Sequence, residues 1–456
     1  MNNKARLNDV IQRSMNGPIV SEQDFDMQHV YKGLRKIIKK YEISVQTDNL
    51  INMDKEFADR VWNAAIEFLA GCGVYSKDTG RVIQYTEREI RDFIKLAPSQ
   101  TIYGSGRDAV LEVARTPDDI RPCINNGGSV GTPCPNEYFI PIMTSYMQEP
   151  LVEMHCPTTN LTTIYGGEIR TRTPLEIMAA WEVVSVFKHV AGMVGRPGMP
   201  HHGINISVSD IGHLSAGHLM QKTDSQCYGI ISELKCDNSI LNKMTHIALC
   251  DAVSSPYANP VYGGMGGGLD SQVVLLCAEM IALSTVFLAS TCGSTPIHPA
   301  YFCSTSKEIL QAIGIAFQAI SQNSNILTRV AQTMVGGPCT KTLLYETIAA
   351  TLVGTKAGIS QLDGPRGSTG AIEGACTGLE ARFQGEVIRA AVKIGRGKAE
   401  EIAQKAFEKY KDDIDKKPYG KPFWEAYVME NLHPTDEWQA MYDDVKNEAI
   451  GWGLPM

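Results

Sequence analysis

From Leu161 onward the chain repeats one pattern. Short β-prone runs ending in Gly, Pro or polar residues alternate with longer helical stretches, and successive runs start about 30 to 40 residues apart, the length of a βα unit. Parallel strands need a crossover of a dozen residues or more, so this spacing predicts a parallel sheet wrapped by helices. The runs are Thr101–Tyr103, Leu161–Tyr165, Val190–Val194, Cys227–Ile231, Pro260–Tyr262, Leu288–Cys292 and Ile326–Arg329, with Gly358–Leu362 available to complete eight. No GxGxxG or P-loop follows a first strand, which favours a (β/α)8 TIM barrel over a doubly wound sheet.

The 456 residues exceed what a bare barrel needs, and the excess lies at the two ends. Residues 24–45 and 54–72 carry apolar side chains at helical spacing, as in Phe57, Val61, Trp62, Ala65, Phe68 and Leu69. Thr86-Glu87-Arg88-Glu89 then opens a third helix with a capping-box pattern. After Glu380 the chain is helical and charged, and it closes with Trp438, Tyr442 and Trp452, which pack on the barrel or on another subunit. The expected organisation is a helical extension over 1–99, the barrel over 100–380 and a helical cover over 381–456.

Composition removes several classes of function. A formal net charge of −8 supplies no basic face for nucleic acid. Residues 1–20 lack the apolar core of a secretory signal. The run from Val273 to Ala289 is interrupted by Glu279 and reads as a buried helix, short of the roughly 20 residues of a membrane span. The 12 cysteines include no Cys-x-x-Cys pair, so they read as buried thiols of a cytoplasmic protein.

In a barrel the reacting groups stand at the C-terminal strand ends and in the βα loops. That rule selects Glu233, Asp270, Tyr262, His298, Arg329 and Gln332. A carboxylate at a buried strand end is costly unless paired, so Glu233 is either bridged to Lys235 or part of an anionic pocket for an alkylammonium ion. Gly264, Gly266 and Gly267, within a glycine-rich loop, allow close approach of a large flat ligand or a partner protein, or simply make a tight turn. No lysine follows them in P-loop register. His201, His202, His213 and His218 lack i, i+4 partners, which argues against zinc; His201 and His202 read as a solvent loop, while His213 could face the pocket. Ser207 and Ser209 lack a nucleophile elbow. Lys235 is the one strand-end lysine available to a Schiff-base lyase, a rival reading on the same fold.

Gly195-Arg196-Pro197-Gly198-Met199 followed by Ser207-Val208-Ser209-Asp210-Ile211-Gly212-His213-Leu214-Ser215 resembles the monomethylamine:corrinoid methyltransferases of methanogenic archaea. Their matching segment reads Ser-x-Ser-x-pyrrolysine-Gly-x-x-Ser, and Ile211 falls on the pyrrolysine. Collinear matches extend over nearly the whole chain: Cys72–Tyr75, Gly104–Val110, Ser232–Lys235, Gly337–Thr340 and Thr377–Val387.

The resemblance implies a TIM barrel, a homo-oligomer with a hexamer as one form, and methyl transfer from an amine nitrogen to the Co(I) of a corrinoid held by a separate protein. It also implies site roles for Glu233, Asp270 and Gln332. The acidic pair of the family becomes Asp270-Ser271 here, and a one-residue offset makes Ala331 the strict match for the family's glutamine. Ile211 has no electrophile and cannot trap an amine covalently. The expected donor is therefore a small quaternary or otherwise cationic N-methyl compound rather than monomethylamine, in a pocket with Ile211, His213, Tyr262, His298 and Arg329. A non-catalytic subunit that binds a methylated ligand or corrinoid protein is the other alternative.

Overall fold

The computed structural model describes residues 3–156, 161–203 and 209–456. Its centre is a parallel sheet of seven strands: β1 Ile124–Gly128, β2 Met154–Cys156, β3 Ser225–Gly229, β4 Val253–Ala258, β5 Cys292–Ser294, β6 Thr328–Thr333 and β7 Gln361–Arg366. The order β2-β1-β7-β6-β5-β4-β3 leaves β2 and β3 as edges. Both edges are bridged, in parallel, by one short segment: His155 pairs with His201, and His202 pairs with Ser225. His201-His202 thus occupies the eighth position and closes the barrel, which removes the unpaired edges of an open sheet. The expected TIM barrel is correct.

A helix follows each of the eight positions, in the order α5 Asn136–Met147, α6 Pro174–Met193, α7 Asp210–Gly217, α8 Asn238–Leu249, α9 Leu269–Thr285, α10 Lys307–Asn323, α11 Lys341–Lys356 and α12 Gly378–Ala391. Before them come α1 Asn3–Asn16, α2 Lys32–Lys40, α3 Lys55–Cys72 and α4 Glu87–Ile94; after them come α13 Arg396–Tyr410 and α14 Asp436–Gly451. Helix α9 packs against α3 on one side and the sheet on the other, so residues 272–285 are buried all round. This accounts for its unbroken apolar run, as read from the sequence. No described helix is long and apolar enough to cross a membrane. The capping box at Thr86 and Glu89 is formed as read, and Trp438 and Tyr442 are buried, with the Trp438 indole N–H donating to Thr377 at 3.2 Å.

Four of the strands read from the sequence are something else; one, Pro260–Tyr262, lies past the end of β4, where Val261 makes an isolated bridge to Ile297. Val190–Val194 is the last turn of α6; a short apolar run carries no periodicity that separates strand from buried helix. Thr163–Ile164 belongs to a small hairpin with Gly167–Glu168, and Gln100–Tyr103 pairs antiparallel with Val110–Val113. That second hairpin plugs the N-terminal end of the barrel. Tyr103 packs with Ile124 and Met154, and its hydroxyl donates to the buried Glu112 carboxyl at 2.6 Å. The strands that had no counterpart in the sequence reading are β1, β2, β4 and the His201-His202 position. The histidine pair was read as a solvent loop, yet each ring is about 1 % exposed.

Candidate functional site

The barrel holds a cavity of about 580 Å³ at the C-terminal ends of its strands. Its floor is an ion pair. Arg329, on β6, donates to Asp363 of β7 at 2.5 Å, to the Ser255 hydroxyl at 2.8 Å and to the Cys227 sulfur at 3.1 Å. Asp363 also accepts from Asn126 at 2.9 Å and Gln361 at 3.0 Å. Burial works to raise the Asp363 pKa, but Arg329, His202 and these hydrogen bonds hold it below the usual carboxylate range. His202 is pushed down to about 3 by burial and by Arg329, and is a neutral ring hydrogen-bonded to the Ser225 hydroxyl at 2.8 Å.

Above the floor the walls carry two further cations. Lys243 reaches in from α8; burial lowers its pKa, while Asp210, Asp237 and Glu176 oppose that shift. Arg366 ends β7, next to Tyr257 on the cavity wall. Among the described residues its one hydrogen bond is to the Gly370 carbonyl at 3.4 Å, and its Nε has no partner. No carboxylate of the described residues lies within ion-pair distance of this guanidinium. Tyr257 and Tyr228 add aromatic surface, and Asp237 spends its carboxylate on the Ile240 N–H that caps α8.

The residues selected from sequence are distributed unevenly around this cavity. Arg329 is in it, as the floor. Glu233 follows the wall residue Ser232 but lies behind the glycine loop, buried, close to the Gly264 and Gly266 backbones. Burial raises its pKa to about 7, against the opposing Gly266 N–H and with a further rise from Asp26. The bridge to Lys235, one of its two readings, is not formed, because Lys235 pairs with Asp26 at 2.6 Å and Glu22 at 3.1 Å from the N-terminal segment. Those acids raise the lysine's pKa against its desolvation, the wrong direction for a Schiff-base amine.

Asp270, near the start of α9, accepts the Val45 N–H at 2.8 Å and lines a separate outer groove with Gly266, Gly267, Arg35 and Lys39. The glycine loop is folded on itself: Gly263 N–H bonds to Gly267, and Gly267, at φ 86°, bonds back to Gly264. On β6 it is Ala331, not Gln332, that lines the cavity after Arg329. His213 is buried beside Gln226 and pushed down to about 3 by desolvation, then by Lys243 and His246; it does not line the cavity.

Tyr262, His298 and Tyr301 form a stack, with ring centroids 5.2 Å and 4.3 Å apart, in the loops after β4 and β5. Ile211 stands in the first turn of α7, immediately above the closing segment, and is 43 % exposed. Ser209 gives its hydroxyl to the buried Glu176 carboxylate at 2.7 and 2.8 Å, which makes it a helix start rather than a nucleophile. Ser207 lies outside the described residues. The wall residues missing from the sequence selection are Arg366, Lys243, Tyr257 and Asp363. Their signal was displaced: β7 was read to end at Leu362, and its true end, four residues on, is Arg366.

A sequence profile described as "Monomethylamine methyltransferase MtmB" matches residues 6–454. Monomethylamine methyltransferase MtmB2 of Methanosarcina barkeri is 30 % identical over 448 residues, covering 98 % of this chain and 97 % of that protein. MtmB1 of Methanosarcina acetivorans is 28 % identical over the same shares. The crystal structure of the Methanosarcina barkeri monomethylamine methyltransferase superposes with a TM-score of 0.95 at 29 % identity, covering 99 % of this chain and 98 % of that one; a hydroxylamine complex of MtmB matches equally.

Proposed function

This chain belongs to the monomethylamine methyltransferase MtmB family, and from that premise we propose that it transfers a methyl group from a quaternary or otherwise cationic amine to a corrinoid carried by a separate protein, without pyrrolysine. The observation that carries the reading is Ile211: family membership spans the chain, while the position of the family's reactive residue holds a side chain with neither electrophile nor proton. When docked, the corrinoid supplies the nucleophile that takes the methyl group. The C–N bond breaks with its electron pair left on nitrogen, so a quaternary donor departs as a neutral amine and needs no acid from the protein.

The chain's own part is then positional. The barrel holds the donor below the rim and excludes water; Tyr257 and Tyr228 offer aromatic faces to an N-methylated cation. An open mouth fits an acceptor brought by another protein. Four exposed large apolar residues, Tyr165, Met265, Phe302 and Ile372, stand in four different βα loops around it, and exposed Ile211 stands in the first turn of α7. Glu233 and Asp270 serve as positioning residues in this reading: Glu233 holds the glycine loop from behind, and Asp270 ties that loop to the N-terminal segment through Val45.

Incubation with reduced corrinoid protein and a panel of methylated amines tests the function. Loss of the Co(I) absorbance with a cationic N-methyl donor, and none with monomethylamine, is the expected outcome. No change with any donor would leave a binding subunit.

A further inference from the structure

We propose that the ligand of the barrel cavity carries a carboxylate, which the Arg366 guanidinium receives; the donor is then an N-methylated amino acid rather than a simple amine. This rests on the methyltransfer reading for the word donor, and on the cavity alone for the carboxylate.

Two observations lead there. The first is charge. Within the cavity Arg329 is neutralised by Asp363, and Lys243 has Asp210, Asp237 and Glu176 acting on it. Arg366 has no such counterpart among the described residues, and its Nε is buried without a partner. A guanidinium stays charged at any pH the protein meets, and a half-buried one with no counter-ion favours an anionic ligand. The groups that form a planar, two-pronged match to it are carboxylates. A bare alkylammonium would instead meet like charge from Arg366.

The second is size. About 580 Å³ lies in the range of sites for small organic molecules, whereas methylamine has two heavy atoms and would leave most of the space to water. An amino acid fills more of that space, and with its carboxylate on Arg366 its cationic nitrogen has the aromatic Tyr257 and Tyr228 among the lining residues. Arg366 is aimed by Gly370, which accepts its Nη2 and packs against the guanidinium so closely that a Cβ there would overlap it.

Binding and transfer are measured separately. Thermal shift and calorimetry compare sarcosine, N,N-dimethylglycine and N,N,N-trimethylglycine with dimethylamine, trimethylamine and tetramethylammonium, on wild type, Arg366→Gln, Arg366→Lys and Gly370→Ala. The expected result is that a carboxylate compound binds at least about tenfold more tightly than its partner lacking the carboxylate. Arg366→Gln should abolish that preference, and Arg366→Lys should keep part of it. Gly370→Ala, which moves the guanidinium without removing it, should weaken it.

Equal affinity for both arms, or an undiminished preference in Arg366→Gln, overturns the inference; the wild-type comparison does so even if a variant fails to fold. The same compounds are then offered with reduced corrinoid protein. Transfer from amines without a carboxylate overturns the inference and leaves the methyltransferase reading intact. Arg366-dependent binding with no transfer from any compound does the reverse.

Discussion

Arg329 and Arg366 show how one residue type divides into two roles within a single cavity. Arg329 is spent: its guanidinium is saturated by Asp363, Ser255 and Cys227, and its ionised form is stabilised despite full burial. Replacing it with methionine leaves Asp363 buried and uncompensated, so Arg329→Met should cost roughly 3–5 kcal/mol in urea denaturation. Arg366→Gln removes a charge with no carboxylate to strand and should shift the urea midpoint far less. A pair of variants with equal losses would show that Arg366, too, belongs to the scaffold.

At the scale of elements, the Gln100–Val113 hairpin shuts the barrel floor with a buried carboxyl. Glu112 accepts from Tyr103, from Ser360 at 2.6 Å and from Thr291 at 3.2 Å, and burial raises its pKa to about 7 from 4.5. A raised folded-state pKa means the stabilisation is complete below about pH 4.5 and is lost as pH rises through about 7. Glu112→Gln should therefore flatten the fall in Tm between pH 5 and 8, by a share on the order of 1–3 kcal/mol. An unchanged slope would place the titration elsewhere. The same end of the molecule explains two motifs. Gly195–Met199 and Gly104–Asp108 meet there, Ser105 N–H donating to Gly198 at 2.9 Å and Asp108 accepting from Gly198 N–H at 3.0 Å. These two segments form a clasp under the barrel, at the end where a barrel's residues serve stability.

For the whole molecule, the consequence of barrel closure is one mouth, and every βα loop feeds it. Exposed Phe302 and Tyr165 lie on opposite arcs of the strand order, after β5 and β2, which is the geometry for a partner that covers the mouth rather than one that touches a side. A Tyr165→Ser, Phe302→Ser double variant should raise the KM for the corrinoid protein about tenfold while leaving small-ligand affinity and Tm unchanged. Weakened ligand binding in that variant would mean the rim shapes the cavity as well.

The repeating βα spacing determined the fold class, because a parallel sheet cannot be built without long crossovers. The buried apolar run of α9 and the cap at Thr86 were equally legible, since helical period and cap chemistry are local. Ile211 could be picked out by its place in a motif.

Strand positions were less legible. Ile124–Gly128 reads Ile-Asn-Asn-Gly-Gly, polar and glycine-rich, because Asn126 faces Asp363 in the barrel interior while Asn125 bonds to Ala381 and Gln384 of α12 outside it, and His201-His202 is a strand only through its neighbours. The charge of the cavity was decided by tertiary structure alone. Glu233 and Asp270 stand one to three residues from wall or loop positions, yet contacts with residues 22–45 draw their surroundings to the outside, and Arg366 becomes the open charge only because Asp363, three residues earlier, is taken by Arg329. Pairing between groups distant in the chain follows from the way strands are set side by side, and no local pattern encodes it.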